Sequence, residues 1–554
     1  MRSMTKVLAV VFGMICFKLS AQGLELNLAP GENFNLRVPH QDELNFPHGF
    51  KATIRFACDL SAIGRVRFAN LVTKGRDFHD GWSIMVKKDG NLLVDLLGVE
   101  PQYHVCENMR IESNRPHLLE VYVMEDCTRI FLDGEERGSY EFGLRRNMAN
   151  CDAPLVIGSM GGYTFKGSIS QVKLEALKDV ARPAGDFRRP YSLVPPLVQS
   201  RAELKWVRPV CAPKDRYIGW PTVCRLRNGE VIASFSGDRE GHICPFGKVQ
   251  IARSSDNGET WQGPVTIANG PLDDRDAGIV ELPDGELLVT YFTSIYYRNV
   301  IDSSSSLRRE HPQFWWRRHD EKIPKATERA ALGYFATRSS DGGKTWSEPV
   351  RMNLCGGNTP HAPAVMKDGS LVHLVYSGNT ISCWRSADGA RTWECLCPKI
   401  AAMNDEDKVP DMFHEPTIIE LADGTLLGQI RYHGPDGCLR QTFSKDGGRT
   451  WTPMAKTPLR GLPPHLVQLP DGKVLSVYGR RIQNEWGEYA CLSDDGGKTW
   501  DVANEIVLAN GFQRDLGYPS TCILSDGWLL TTYYQQPDKK SRCALMATKW
   551  RVTR

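Results

Sequence analysis

The sequence of 554 residues has few of the features that mark several common classes of protein. No segment after the N-terminal residues is long and apolar enough to span a bilayer, which argues against an integral membrane protein. Zinc-site spacing is missing, because Cys395 and Cys397 stand without a second cysteine pair or a nearby histidine. No acidic loop has the pattern of a calcium site, so a calcium ion is not indicated and no cofactor is expected.

A large excess of charge of either sign is also absent. The formal net charge is +3 at pH 7, and no basic face or recognition motif indicates a nucleic-acid partner. Apolar residues make up 41% and charged residues 24% of the chain, which is the balance of an ordinary soluble globular protein. At this length we expect two modules or one large repeat array, and the sequence leaves the oligomeric state open.

Residues 1–21 have the three parts of a secretory signal peptide: a basic start, an apolar run and an exit of small residues. The apolar run is too short to span a bilayer, and Cys16 lacks the preceding small residues of a lipoprotein site. We therefore expect a secreted or periplasmic protein from which this segment has been removed. Fifteen cysteines then remain, an odd number that cannot pair completely, and buried free thiols are expected at Cys491, Cys522 and Cys543.

Residues 24–180 consist of short alternating segments, such as KATIRFACDL and LLEVYVM, separated by turn residues. This pattern predicts an antiparallel β-sandwich. The runs RIFLDGEERG and FKGSISQVKL resemble the end of the laminin-G/concanavalin-like jelly rolls that often accompany secreted carbohydrate-active enzymes. No catalytic cluster is visible here, so a carbohydrate-binding or docking module and a purely structural sandwich stay open as alternatives. Residues 181–203 are rich in proline and arginine and are interpreted as a linker.

A strand–turn–strand unit recurs from residue 204 to residue 554. Its Asn-Gly or Asp-Gly turns are spaced by 48 to 56 residues with one interval of 84, and they end at Gly229, Gly285, Gly369, Gly424, Gly472 and Gly527. Five Ser-x-Asp-x-Gly-x-Thr-Trp boxes interleave with these turns and begin at Ser254, Ser339, Ser386, Ser444 and Ser493, the third carrying Ala390 in place of glycine. Six hairpins predict a six-bladed β-propeller, in which residues 202–207 close the ring by adding a strand to the last blade.

The boxes are expected to be structural pins on the propeller rim rather than catalytic aspartates. Their glycine permits positive φ, their Asp and Ser bind backbone N–H groups, and their Trp covers the blade. The long interval holds an insertion at about residues 296–332 that is basic and aromatic, with Ser303–Ser306, Arg308, Arg309, Phe314, Trp315, Trp316, Arg317 and Arg318. This loop could stack a sugar ring and hold an anion, it could be an ordinary solvated surface excursion, or it could pack on the β-sandwich.

The residues that open the innermost strand of each blade should form a ring around the propeller axis. Nine positions before each turn glycine lie Trp220, Asp276, Pro360, Glu415, Pro463 and Tyr518, with His361 and His465 one or two positions further on and Arg275 and His414 beside the ring. Acidic, basic and aromatic residues that converge at one place predict an active site. For any single histidine, a hydrogen-bonded packing role remains an equal alternative.

This propeller with its boxes resembles the sialidase (neuraminidase) superfamily over residues 204–554. The segment GYPS at 517–520 is similar to the last-blade tyrosine segment of that family, and EPTIIEL at 415–421 is similar to its glutamate segment. The resemblance implies that Tyr518 is the nucleophile, that Glu415 is its base and that Arg431 binds the substrate carboxylate. Tyrosine nucleophiles are the recognised sialidase exception to the scheme of two carboxylates. The implied activity is hydrolysis of a terminal acidic sugar with retention.

Two departures from the family pattern affect the expected site. Where the family opens its first blade with Arg-Ile-Pro, this chain has Gly219, Trp220 and Pro221, so one arginine of the carboxylate-binding triad is missing. The pair Arg480-Arg481 and Arg239 resemble other family arginines, and Arg216, Arg239 or Arg275 could replace the missing one. The position of the general acid holds His242, with Asp238 and Glu240 nearby, and the sequence leaves these three open as proton donors.

The expected substrate-binding set is therefore Arg431, Arg481, Arg239, Arg275, Asp276, His361, His465 and Trp220, and the expected catalytic set is Tyr518, Glu415, Asp238 and His242. The altered arginines leave two alternatives to a sialidase. One is a glycosidase of the same fold that acts on a neutral, sulfated or uronic-acid glycan. The other is a glycan-binding protein without catalytic activity.

Overall fold

The computed structural model describes most of the chain. It covers residues 15–20, 23–28, 35–46, 49–63, 68–75, 81–96, 99–100, 103–106, 109, 111–124, 127–141, 144–145, 153–158, 165–177, 193–303, 312–354, 360–377, 380–401, 413–434, 437–482 and 485–553. The chain divides into two compact units, Met1–Pro190 with Ile482–Asn484, and Tyr191–Arg481 with Glu485–Arg554. The pairs of strands in the described sheets are antiparallel, which confirms the all-β fold class.

The first unit is built from two main antiparallel sheets. Its strands are β1 Ile15–Ser20, β2 Gly23–Leu28, β3 Asn35–Val38, β4 Phe50–Cys58, β5 Phe68–Lys74, β6 Trp82–Lys87, β7 Leu92–Leu96, β8 Val99–Glu100, β9 Tyr103–Cys106, β10 His117–Val123, β11 Cys127–Leu132, β12 Glu135–Glu141, β13 Leu144–Arg145, β14 Leu155–Gly158 and β15 Gly167–Ala176. One sheet has the order β1-β2-β15-β4-β10-β11-β12, the other β3-β14-β5-β6-β7-β9, and β13 pairs with β8.

The two main sheets of this unit share an apolar core. Alternate residues of β4 are buried, as expected for a strand with one face on the core, and the ring of Phe50 lies 4.4 Å from the ring of Trp82 in β6 of the other sheet. The resemblance to laminin-G-like domains stays a prediction. Residues 1–14 of the predicted signal peptide lie outside the described residues, and Ile15–Ser20 pairs with β2. Signal cleavage and export also stay predictions.

The second unit contains six antiparallel sheets among its described residues, which confirms the six-bladed propeller. Its strands are β16 Val198–Gln199, β17 Ala202–Cys211, β18 Tyr217–Arg225, β19 Val231–Arg239, β20 Lys248–Ser254, β21 Gln262–Ala268, β22 Asp273–Glu281, β23 Leu287–Ser294, β24 Tyr334–Ser339, β25 Val350–Arg351, β26 Ala364–Val365, β27 Leu371–Ser377, β28 Thr380–Ser386, β29 Glu394–Cys397, β30 Phe413–Glu420, β31 Leu426–Tyr432, β32 Cys438–Ser444, β33 Ala455–Arg460, β34 Pro464–Gln468, β35 Val474–Arg480, β36 Gly487–Ser493, β37 Ile506–Asn510, β38 Gly517–Ile523, β39 Leu529–Gln535 and β40 Ala544–Val552.

Five blades are four-stranded sheets of consecutive strands, and the last blade has the order β16-β17-β40-β39-β38. The ring therefore closes as expected, because β17 from the start of the unit pairs with β40 at the end of the chain. Apolar clusters fill the space between neighbouring blades. One cluster, for example, joins Ala233 of the first blade to Leu530 and Leu545 of the last. Of the predicted linker 181–203, residues 181–192 lie outside the described residues.

The insertion in the second blade is helical, whereas the sequence predicted a loop. It contains α1 Tyr297–Ser303, α2 Pro312–Asp320 and α3 Lys325–Ala331, and residues 304–311, with Arg308 and Arg309, lie outside the described residues. Trp316 is buried against Cys244 and Tyr297, and its indole donates a hydrogen bond of 2.6 Å to Glu240. None of the helices in the described residues is long and apolar enough to cross a membrane.

The box turns have the structural role that their composition indicates. In the first box, Asp256 accepts a hydrogen bond of 2.8 Å from the amide of Thr260, and the indole of Trp261 donates one of 3.0 Å to the carbonyl of Gly258. The serine hydroxyl of each box accepts a hydrogen bond from the backbone amide of the residue four positions later. In the third box that residue is Ala390, which is held at a φ of 65°. An alanine at positive φ is strained because its Cβ approaches the backbone.

This strain gives a prediction for Ala390→Gly. Glycine adopts positive φ freely, so the variant should be more stable by about 0.5–1 kcal/mol after the larger entropy of its unfolded chain is deducted. The reverse change, Gly448→Ala in the fourth box, should destabilise the protein, because the new Cβ would lie 2.8 Å from Cys383 Sγ. Urea unfolding of both variants and the wild type measures these effects. Destabilisation by Ala390→Gly would contradict the assigned strain.

Candidate active site

Equivalent bulges interrupt the innermost strands of four blades. In each one the register with the neighbouring strand skips two residues, and the first of them has a positive φ: 54° at Trp220, 51° at Asp276, 42° at Glu415 and 54° at Tyr518. Non-glycine residues in this region cost about 1–2 kcal/mol each, and such strain clusters at functional sites. A bulge also turns a side chain out of the regular alternation of the strand. The bulges therefore mark the ring that the repeat spacing predicted.

Tyr518, Glu415 and Arg431 form one hydrogen-bonded group at this ring. The hydroxyl of Tyr518 donates a short hydrogen bond to Glu415 Oε1. Arg431 Nη1 lies 2.5 Å from Glu415 Oε2 and 3.2 Å from the hydroxyl of Tyr518. All three side chains are largely buried. The three residues that the sequence predicted as nucleophile, base and carboxylate ligand are thus brought into direct contact.

The electrostatics of this group define which atoms carry protons at rest. Burial, reinforced by the charge of Glu415, raises the pKa of Tyr518 well above its ordinary value. Burial alone would raise the pKa of Glu415, but the charge of Arg431 and the hydrogen bond from Tyr518 lower it to about 2. The phenol is therefore neutral and the carboxylate ionised over the physiological range. A proton that leaves Tyr518 has an acceptor already in place.

Asp276 lies buried in the same ring and has a different charge state. Its Oδ1 has no hydrogen-bond partner among the described residues, and the residue is 3% exposed. Burial, with a contribution from the charge of Glu415, raises the pKa of Asp276 to about 7, although Arg275 opposes this. At and below neutral pH a large share of Asp276 is therefore a carboxylic acid that can donate a hydrogen bond to a ligand.

Trp220 stands where the sequence lacks the expected arginine, and two other arginines pack on its ring. The guanidinium of Arg275 is 3.9 Å and that of Arg239 is 4.7 Å from the ring centroid. Arg275 remains partly accessible, with a side chain that is 11% exposed and 3.4 Å from Asp273. Of the two arginines on Trp220, Arg275 is therefore the more accessible, while the third candidate, Arg216, has a side chain that is 46% exposed and 3.2 Å from Asp238.

Arg239 does not fit the substrate contact that the sequence predicted for it. Its side chain is fully buried, and its two Nη atoms donate hydrogen bonds of 2.5 Å and 2.9 Å to the carboxylate of Asp273. A guanidinium whose planar fork is occupied in this way has no free face for a ligand. Arg239 instead supports Trp220 from within the protein.

Arg481 is held with its guanidinium close to the aromatic ring of Tyr518. Its Nε donates a hydrogen bond of 2.8 Å to the carbonyl of Leu516, and its Nη2 donates one of 2.9 Å to the hydroxyl of Tyr534. Its Cζ is 5.8 Å from the ring centroid of Tyr518. The neighbouring Arg480 forms an ion pair of 2.5 Å with Glu505. Of this arginine pair, Arg481 is therefore the one that faces the candidate site.

The three candidates for proton donation have different surroundings. Asp238 forms ion pairs with Lys248 at 2.6 Å and with Arg216 at 3.2 Å. Glu240 accepts a hydrogen bond from the indole of Trp316 in the insertion. His242 instead lies 2.8 Å from Asp515, and its ring contacts the rings of Trp220 and Tyr534, which also contact Tyr518. The structure thus places His242 beside the rings that contact Tyr518, while the carboxylate of Asp238 is paired with two cations.

Three residues of this site were missed by the sequence reasoning. Asp515, Tyr217 and Tyr534 form a hydrogen-bonded cluster with His242, in which the hydroxyl of Tyr217 is 2.9 Å from His242 Nδ1 and that of Tyr534 is 3.0 Å from Asp515 Oδ1. None of them lies at the ring position counted from the turn glycines. Asp515 precedes Tyr518 by three residues, and this proximity to a ring residue was the available signal.

His361 and His465 pack against each other, with ring centroids 4.8 Å apart. His361 Nε2 is 3.1 Å from the carbonyl of Pro464, and His465 Nδ1 is 3.4 Å from the amide of Thr521. Burial lowers the pKa of His361 to about 4 and also lowers that of His465, so both rings are neutral. These contacts favour the packing role over the ligand role. Within the described part of the chain, no group of three or more His, Cys, Asp or Glu side chains is arranged to hold a metal ion.

Comparison with known proteins identifies the family of this chain. The sequence profile of the BNR repeat-like domain matches residues 229–531, which is more than half of the chain. The chain therefore belongs to the BNR repeat-like domain family, within the sialidase superfamily.

A protein described as a sialidase, from Bacteroides fragilis (strain YCH46), is 24% identical over 307 residues, which are 50% of this chain and 51% of that relative. The chain thus spans about half the length of the curated relative that it matches. A crystal structure of a protein of unknown function from Dyadobacter fermentans DSM 18053 matches with a TM-score of 0.52 and 22% identity, covering 64% of this chain and 99% of that one. This likeness shows the fold alone. A crystal structure of the NanB sialidase from Streptococcus pneumoniae aligns with a TM-score of 0.45 and 14% identity, covering 95% of this chain and 98% of that one.

The state of Asp276 gives a prediction for stability against pH. Its pKa is raised from 3.8 to about 7 in the folded protein, so the stability that it contributes is fully present below pH 3.8 and is lost as the pH rises through about 7. Asp276→Asn removes the ionisable carboxyl, and with it the loss of stability at high pH. The variant should therefore be more stable than the wild type at pH 8, by at most about 4 kcal/mol, and about equally stable at pH 4. Urea unfolding at both pH values measures this, and an equal difference at both would contradict it.

Proposed function

We propose that this protein is a secreted or periplasmic glycoside hydrolase of sialidase type, which releases a terminal acidic sugar from glycans with retention. The observation that carries this proposal is that the Tyr518 hydroxyl contacts both the buried, ionised carboxylate of Glu415 and the guanidinium of Arg431. A neutral phenol becomes a strong nucleophile when an adjacent base accepts its proton during attack. A phenol also meets the carboxylate of an acidic sugar with less repulsion than a carboxylate nucleophile would.

In the first step, Tyr518 Oη forms a bond to the anomeric carbon while the glycosidic bond breaks. The phenol proton passes to Glu415 along their hydrogen bond, and the leaving oxygen takes a proton from an acid of the enzyme. In the second step, water attacks the anomeric carbon and gives a proton to that same acid. The bond to Oη breaks, and Glu415 returns the proton to Tyr518. The two displacements together retain the configuration at the anomeric carbon.

Binding of an acidic sugar would also activate the base. Arg431 is paired with Glu415 in the free protein, at 2.5 Å, and this pairing keeps the pKa of Glu415 low. A substrate carboxylate on Arg431, with Arg481 and Arg275 as further cations, would share that positive charge. Glu415 would then hold a proton more strongly, so binding of the correct anion raises the basicity that the chemistry needs.

A second candidate function has support from Arg239 and Trp220. The guanidinium of Arg239 is fully occupied by hydrogen bonds to Asp273, and Trp220 stands where the family has an arginine. The cations of this site are therefore arranged differently from those that the family pattern implied. A sulfated or uronic-acid sugar would place its anionic group differently from a sialic acid. Release of sugar from a panel of fluorogenic sialosides, uronides and sulfated glycosides distinguishes these substrates, and binding without product from any of them indicates a binding protein.

The nucleophile is tested by Tyr518→Phe. The variant keeps the ring that packs against Trp220 and Tyr534 but loses the hydroxyl, so it should fold normally and lose at least about 10³-fold in kcat on the substrate that the panel identifies. Tyr533→Phe is the matched control. It removes a buried hydroxyl from the same blade that bonds Thr548, away from the site, and should leave kcat unchanged. Full activity of Tyr518→Phe would end the proposed mechanism.

The anion-binding role is tested by Arg431→Lys. Lysine keeps the charge but loses the planar fork that holds a carboxylate through two parallel bonds, so KM should rise by about 10–100-fold. Arg338→Lys, which alters an ion pair of 2.8 Å with Glu286, serves as the control and should leave KM unchanged. Steady-state kinetics with the acidic glycoside measure both variants. An unchanged KM for Arg431→Lys would show that the anion binds elsewhere.

A further inference from the structure

The pair formed by His242 and Asp515 has the geometry of an oriented acid–base group. His242 Nδ1 lies 2.8 Å from Asp515 Oδ1, and a carboxylate can only accept, so Nδ1 carries the hydrogen. Among the described residues no hydrogen bond is formed by the opposite nitrogen, Nε2. An imidazole held in this way can exchange a proton through Nε2 while its orientation is kept by the carboxylate.

Solvent exposure distinguishes His242 from Asp276, the other group at the ring that could donate a proton. The side chain of His242 is 39% exposed and that of Asp515 is 30% exposed, whereas Asp276 is 3% exposed beside Glu415. In an exo-acting hydrolase the terminal sugar fills the pocket and the leaving group extends toward solvent. Its proton donor must therefore lie where solvent reaches. His242 meets this condition and Asp276 does not.

The position of His242 relative to the nucleophile is also suitable. Its ring is 5.1 Å from the ring of Trp220 and 6.5 Å from that of Tyr534, and these two rings lie 6.3 Å and 5.9 Å from the ring of Tyr518. His242 and Tyr518 thus both contact the same two aromatic rings. A sugar bound at this ring of residues would be close to both the nucleophile and the proton donor.

We propose that His242, oriented by Asp515, is the catalytic acid that protonates the leaving-group oxygen and the base that later accepts a proton from water. This inference rests on the proposed function. In the first step the proton moves from Nε2 to the glycosidic oxygen as that bond breaks. In the second step Nε2 takes a proton from the attacking water, so the imidazole ends in its initial state. Asp515 is a positioning residue that acts through His242.

The charges around His242 set the pH range in which it can act. The groups that face it are Asp515, Tyr217, Tyr534, Arg275 and Arg481. Partial desolvation by the surrounding groups lowers the pKa of His242 below its ordinary 6.5, the charge of Asp515 opposes this, and Arg275 and Arg481 add to the lowering. The acid form is therefore lost as the pH rises through a value below 6.5. Hydrolysis should accordingly have an acidic optimum.

The test uses His242→Gln with two sialosides that differ in their leaving group. One is a sialyl-lactose, whose sugar alkoxide needs a proton to depart, and the other is an aryl sialoside with an acidic phenol, which departs without one. The variant should lose about 10²–10⁴-fold in kcat on sialyl-lactose and less than about tenfold on the aryl sialoside. His40→Gln removes a histidine that forms a similar pair of 3.2 Å with Asp42 in the first unit, and it should change neither rate.

A second variant separates positioning from folding. Asp515→Asn keeps a hydrogen-bond acceptor but removes the charge that supports the imidazolium, so the alkaline limb of the pH–rate profile on sialyl-lactose should move to lower pH. A merely structural pair would lower the rate without moving this limb, and that result would overturn the role of Asp515.

The outcomes distinguish the two proposals. Equal losses on both sialosides for His242→Gln, in a protein whose wild type is active, would overturn the role of His242 and leave the proposed function intact. A wild type that hydrolyses neither sialoside would overturn the sialidase assignment and the role of His242 together.

Discussion

Glu415 carries a negative charge where water hardly reaches, and Arg431 is the cation that allows it to do so. An isolated carboxylate at this depth would take up a proton, because the desolvation of its charge is not compensated. With Arg431 at 2.5 Å it stays ionised and becomes the acceptor for the hydroxyl of Tyr518. The nucleophile, its base and the anion-binding group of the proposed reaction therefore depend on one buried ion pair.

The propeller makes this contact possible. Tyr518 and Glu415 belong to different blades, and each stands on a bulge that bends its strand and holds the residue at positive φ. The strain of these residues, about 1–2 kcal/mol each, is offset by the apolar clusters between blades and by the closing pair of β17 and β40. A closed ring of rigid sheets keeps such residues in place, whereas an isolated hairpin would relax.

Much of this could be predicted from local sequence. Turn glycines at regular spacing indicate hairpins whatever the rest of the chain does, and counting nine positions back finds Trp220, Asp276, Glu415 and Tyr518. Side-chain orientation was harder to predict. Arg239 lies on a strand beside the site, yet Asp273 from the next blade holds its guanidinium inside the protein. The helices of the insertion were missed because they are short and lack a clear apolar period.

The sequence by itself determined the all-β class, the number of blades, the box turns and the residues that open each inner strand, because these depend on spacings and turn residues within short segments. The tertiary structure alone decided which side chains meet. The pairs Arg239–Asp273 and His242–Asp515 join residues of different blades, which only the folded propeller brings together. Glu415 and Arg431 lie on adjacent strands of one hairpin, but the burial that sets their charges comes from the neighbouring blades.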